Sequence, residues 1–140
     1  MTTTTTTARK LFVNIPVREL KRSVEFFTKL GFTFNPEYTD DKATCMIVSD
    51  DAFFMLLVDD RFKDFTTKQI CDTGTHQEAL FALSTGSRAE VDRIVQTVIE
   101  GGGREAGEAK DHGFMYYRAF YDLDGHHWEV LFMEPNHAQS

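Results

Sequence analysis

Residues 10–31, KLFVNIPVRELKRSVEFFTKLG, pass from one hydrophobic period to another without a break. Leu11, Val13, Ile15 and Val17 alternate with Phe12, Asn14 and Pro16, the two-residue repeat of a strand. Pro16, which has no N–H to give, suits an edge strand or a strand end. From Arg18 to Leu30 the apolar set becomes Leu20, Val24, Phe27 and Leu30, spaced by four and three, which predicts an amphipathic helix, and Gly31 stops it. Three short segments follow: Thr33–Phe34 running into Pro36, Ala43–Val48 and Phe53–Val58. The last two are separated by the turn residues Ser49, Asp50 and Asp51, so they predict an antiparallel meander. The unit is therefore β-α-β-β-β.

The same order returns downstream. Glu78–Ser84 predicts a strand, and Ser87–Ile99 predicts a helix whose inner stripe is Val91, Ile94, Val95 and Val98, ended by Gly101–Gly103. Ser87 followed three residues later by Glu90 is a capping box. A short segment at Glu105, a strand at Phe114–Tyr121, the turn Asp122–Gly125 and a final strand His127–Met133 complete a second copy. Between the copies, Asp59–Cys71 is a charged connector with Phe62, Phe65 and Ile70 at roughly helical intervals. An internal repeat of this kind implies two half-sheets, each with a face it cannot cover alone. The expected fold class is α+β, two tandem β-α-β-β-β modules forming a curved mixed sheet around a cleft.

Composition narrows the partners. The chain has 140 residues, 15 Lys and Arg against 22 Asp and Glu, and a formal net charge of -7. Nucleic-acid binding rests on clustered basic side chains, which this balance argues against. No run approaches the length of a membrane span, and no apolar leader opens the sequence, so a cytoplasmic location is expected. Two cysteines, Cys45 and Cys71, far from any CxxC spacing, fit free thiols in a reducing compartment. Residues 1–9, with six consecutive threonines, are low in complexity and are expected to form a disordered tail. No Gly-rich phosphate loop or nucleophile elbow is present, and Gly101–Gly103 lacks the strand before it that a dinucleotide site needs.

With the repeat in place, VNIPVRELKRS at 13–23, EFF at 25–27, LGF at 30–32 and YDLDGHHWEV at 121–130 carry a resemblance to the vicinal oxygen chelate superfamily. This is the group of glyoxalases, bleomycin resistance proteins and extradiol dioxygenases. Asp111-His-Gly113 before the last hairpin resembles the subgroup of predicted lactoylglutathione lyases. The resemblance implies one glyoxalase-like domain over residues 10–140, with module one at 10–59, a connector at 60–75 and module two at 76–134. It also implies a divalent metal (zinc, nickel, manganese or iron) at places that fall on Phe12, Met55, Glu78 and Glu129. Phe has no donor atom and a Met thioether suits softer metals, so binding is expected to be weak or absent. A rebuilt set of His76, Glu78 and Glu129 is the remaining metal candidate.

Each candidate has a plain alternative. Glu129 lies among Trp128, Val130, Leu131 and Phe132, where an unpaired carboxylate is costly to bury. It is the expected catalytic residue, and the structural alternative pairs it with Arg118. Glu78 starts its strand and suits an exposed strand end equally well, while His76 in a loop suits a surface residue. Phe12, Asn14, Met55, His112 and Tyr116 are the expected substrate contacts. Of the two histidines after the turn, His127 shares the face of Glu129, and both also suit partly exposed hairpin positions. Two functions follow: a glyoxalase-like lyase or isomerase acting on a small carbonyl compound through Glu129, or a protein that holds a small molecule without reacting. A small-molecule ligand and a homodimer are the expected partners, with no nucleic acid and no membrane.

Overall fold

The structure is a computed structural model that describes residues 9–135, so most of the tail expected over 1–9 lies outside the described residues. The chain divides into two compact units, residues 1–70 and 71–140.

In the first unit the strand expected at the N-terminus runs Leu11–Val17 (β1), and the helix runs Leu20–Lys29 (α1). Strands Thr33–Asn35 (β2), Ala43–Ile47 (β3) and Ala52–Val58 (β4) follow, with a single 3-10 turn at Pro36–Tyr38 between the first two. The sheet order is β1-β4-β3-β2, in which β2, β3 and β4 meander antiparallel and β1 returns parallel beside β4. Alternation sends Val13, Ile15 and Val17 to the side of Phe54 and Leu56, and Phe12 and Asn14 to the side of Phe53 and Met55. The first set forms the core with α1, whose Phe26 and Phe27 are buried. Gly31, at φ +105, takes the left-handed turn that ends α1, a conformation open mainly to glycine. The connector opens as a short helix, Asp59–Lys63 (α2), packed on β1 and β4.

The second unit repeats the order: Leu80–Ser84 (β5), Arg88–Glu100 (α3), Arg104–Glu105 (β6), Lys110–Asp111 (β7), Met115–Tyr121 (β8) and His127–Met133 (β9). Its sheet reads β5-β9-β8-β6, with the two-residue β7 pairing with β8 as an addition the sequence pattern did not indicate. As β1 does beside β4, β5 runs parallel to β9. Helix α3 buries Val91, Val95 and Val98 against the face that carries Phe120, Trp128 and Val130. Ser87 Oγ accepts from the Glu90 N–H at 3.1 Å, one half of the expected capping box. The Glu90 carboxylate reaches the Gly86 N–H at 2.6 Å rather than that of Ser87, so the box closes one residue early. No described helix is long and apolar enough to cross a membrane.

Candidate functional site

Register decides what surrounds Glu129. Across the second sheet, Ala82 of β5, Glu129 of β9 and Ala119 of β8 stand in one row. Because side chains alternate, this row faces away from Trp128 and Val130 and therefore away from α3. The carboxylate is 29% exposed, and its Oε2 lies 3.3 Å from Nε2 of His127, the next residue on the same face. Leu80, His127 and Tyr121 form the neighbouring row on one side. There the Tyr121 ring meets His127 edge-on at 5.5 Å, and the Arg104 guanidinium sits 4.8 Å over the Tyr121 ring. Ser84, Leu131 and Tyr117 form the row on the other side, where the His112 ring lies 5.9 Å from that of Tyr117. Two methyl groups thus flank an acid between two taller rows.

Tyr116, expected as a substrate contact, occupies the opposite face. Its hydroxyl donates to Asp92 Oδ1 of α3 at 2.5 Å, and Tyr117 holds the position beside Glu129's row. Arg118 shares the face of Tyr116 and binds Glu105 through two bonds of 2.8 Å and Asp92 at 3.0 Å, so it is not the partner of Glu129. These contacts hold the Asp92 carboxyl below its ordinary range, chiefly through the Tyr116 hydroxyl, and the Glu105 carboxyl below its own, chiefly through Arg118.

Glu78 and the β8–β9 turn form a second polar cluster. Glu78 precedes β5 rather than starting it, and its Oε1 lies 2.6 Å from Nδ1 of His126. His126, expected at a partly exposed hairpin position, is 1% exposed. It is buried because Asp122 organises the turn around it. Asp122 Oδ1 accepts from the N–H groups of Asp124 and His126, and Oδ2 accepts from Trp128 Nε1 at 2.9 Å. Burial pushes the Asp122 carboxyl up, against the pull of His126 and these donors. The preceding segment is stitched to the turn. Thr73 Oγ1 donates to Asp124 O at 2.5 Å, and Gln77 Nε2 donates to Gly125 O at 3.2 Å. Gly125 is required twice, by its φ of +82 and because a Cβ there would meet Thr73 Oγ1 at 2.5 Å. Sequence reasoning missed Asp122 and Trp128 as a structural pair; the only signal was their place in the quoted 121–130 motif.

The metal set that the resemblance implied does not fit these side chains. Phe12 offers a ring, stacked on Phe53 at 5.0 Å, and Met55 a thioether. The Glu78 carboxylate is engaged by His126, and His76 Nδ1 lies 2.8 Å from Thr75 Oγ1. Among the described residues no three His, Cys, Asp or Glu side chains are grouped to hold an ion, whereas a catalytic zinc takes three protein ligands. Both cysteines are free, and burial pushes both thiols up.

In the first unit Asn14 and Met55 are register neighbours. Asn14, together with Leu57, Phe62, Phe65 and Thr66, lines a cavity of about 460 Å³.

Residues 9–49 match the family described as bleomycin resistance protein-like N-terminal. No curated protein sequence matches the chain. Among solved structures, a hypothetical protein of S. aureus is 28% identical, with a TM-score of 0.75 over 86% of this chain and 91% of that one. A glyoxalase-related enzyme from Fulvimarina pelagi is 14% identical, with a TM-score of 0.74 over 89% of this chain and 87% of that one. A fosfomycin resistance protein from Mesorhizobium loti is 12% identical, with a TM-score of 0.61 over 94% of this chain and 95% of that one. The chain thus has the fold of the glyoxalase/bleomycin resistance/dioxygenase superfamily, and residues 9–49 of it match the bleomycin resistance protein-like N-terminal family.

Proposed function

We propose that this protein binds and holds a small organic molecule through Glu129, and that the molecule is a cation or a strong hydrogen-bond donor. The observation that carries this reading is the row Ala82–Glu129–Ala119, in which an acid stands between two methyl groups with His127 at its side. Ala82 and Ala119 add little bulk beside the carboxylate, and Tyr117 and Tyr121 on the flanking rows supply the apolar surface that small-molecule sites use. Charge supports the same sign. Residues 71–140 hold five Lys and Arg against twelve Asp and Glu, so the whole net charge of the chain falls in this half.

A glyoxalase-like lyase or isomerase reading has one contact in its favour, the His127–Glu129 pair. A carboxylate that takes the proton beside a carbonyl leaves the electron pair on the carbonyl oxygen as an enolate, and an adjacent imidazole can donate to it. Sequestration is preferred because the metal that would otherwise steady the enolate finds no fitting donor set among the described residues.

Calorimetric titration with benzylammonium and larger aromatic amines tests the binding reading. Glu129→Gln is expected to weaken binding at least tenfold while leaving thermal unfolding little changed. Equal binding by the variant would sink it. Deuterium incorporation into 2-oxo aldehydes by the wild type, lost in Glu129→Gln, would instead favour the lyase. We further infer a homodimer, supported by the exposed Leu11 and Leu80 on edge strands β1 and β5; a monomer mass by light scattering at tens of micromolar would count against it.

A further inference from the structure

The cavity of the first unit has a chemistry unlike that around Glu129. Its volume, about 460 Å³, falls within the range of small-molecule sites, roughly 300–1,000 Å³. Leu57 of β4 forms its apolar floor, and Phe62 and Phe65 come from α2 and the chain just after it. Phe65 is 74% exposed, an uncovered aromatic ring beside the cavity. The two polar linings, Asn14 and Thr66, are both neutral, and no charged side chain among the described residues lines the space. The charged residues of α2 are occupied elsewhere in part: Arg61 pairs with Asp40 at 3.6 Å and with Asp64 at 3.8 Å. Residues 1–70 hold ten Lys and Arg against ten Asp and Glu, so the unit as a whole carries no net charge.

Asn14 is the informative member. It sits on an exposed strand position, and among the described residues its side-chain amide makes no hydrogen bond. A carboxamide presents one acceptor and two donors side by side, so its best complement is another amide, which returns one N–H···O=C bond in each direction. Thr66 Oγ1 already accepts from the Lys68 N–H at 3.1 Å and keeps its O–H free to donate to a ligand oxygen. An ion would have to shed its water here with no opposite charge to replace it.

We propose that the cavity bounded by Asn14, Leu57, Phe62, Phe65 and Thr66 is a binding site for an uncharged, largely apolar molecule that carries a carboxamide or lactam group. It concerns the first module alone and does not depend on the reading of Glu129.

The test uses three aromatic probes of one size: benzamide, benzoate and benzylammonium, titrated into the full chain and followed by NMR at the Asn14 side-chain amide and the Phe62 and Phe65 rings. Benzamide is expected to shift these signals and to bind at least tenfold more tightly there than either ion. Asn14→Leu, which keeps the size and removes the amide, should weaken benzamide at least tenfold. Thr66→Val, which keeps its shape on an exposed segment, should weaken it by a smaller factor and guards against a folding defect in the first variant. The proposal is overturned if benzamide leaves the Asn14 amide unmoved, if the three probes bind there equally, or if both the Asn14 and Thr66 variants bind it as the wild type does.

Discussion

The two modules share an element order and a strand order, and they are held together by different physics. The first unit, residues 1–70, has no net charge and relies chiefly on apolar packing: Ile15, Val17, Phe26, Phe27, Met46 and Leu56 make its core. The second unit, residues 71–140, carries the net charge of -7 and threads its core with polar bonds. Asp122 and His126 are buried beside Trp128, and Arg118 joins Glu105 and Asp92 at the edge of α3. One topology therefore tolerates either kind of interior, provided every buried donor and acceptor finds a partner.

The contrast is most sharply tested at the buried turn. Asp122→Ala leaves the N–H groups of Asp124, His126 and Trp128 without their acceptor, each at roughly 1–3 kcal/mol. A loss of at least about 3 kcal/mol by urea unfolding is expected, and a loss under 1 kcal/mol would mean that the turn is not the keystone of the module. In module one, Leu56→Ala should cost about 2–5 kcal/mol through cavity formation, with little dependence on pH.

Acid should separate the modules next, with three lowered carboxyls in the second against Asp40 in the first. Asp92, Glu105 and Asp111 are held below their ordinary values, so the stability they contribute is present above those values, 3.8 for the aspartates and 4.5 for Glu105. It is lost as pH falls through the lowered ones. Asp122, pushed up by burial, works in the other direction: the folded form takes its proton first, which offsets part of the loss. The net expectation is a fall in stability beginning near pH 4.5, reported by amide exchange in α3 and β8 before β1 and β4. Arg118→Met should flatten the fall; an unchanged acid profile in that variant would show that the Arg118 network does not set it.

The smallest expected effect concerns metal. A ligand that binds only the folded form at 100 times its Kd adds about 2.7 kcal/mol. Zinc or nickel at millimolar concentration is expected to leave Tm unchanged, because Phe12 and Met55 offer no hard donor. A large rise that Glu129→Gln removes would reopen the metal reading.

Much of the architecture was legible because the period of hydrophobic residues changes where the elements change, as between Val17 and Leu20. What escaped the sequence was set by partners. The strand β7 is two residues long, too short to carry any period. Alternation placed Tyr116 with Arg118 and apart from Tyr117, yet which of the two faces lies under α3 depends on register with β9. The burial of His126 depends on Asp122 closing the turn and on Glu78 arriving from forty-eight residues away.

The return of the first strand beside the last has a consequence in time. Strand β1 finds its neighbour β4 once Val58 has been made, so module one has its described sheet pairings while module two is still being synthesised. Strands β6 and β7 can pair with β8 as soon as Tyr121 has been made, but β5 must wait for β9, and the Thr73 and Glu78 contacts wait for the same hairpin. Until then its apolar β5 edge has no partner, and long-range pairings of this kind are slow to form. The two halves therefore differ in age as folded objects, and the younger one, with its unpaired edge, is where chaperone contact is expected.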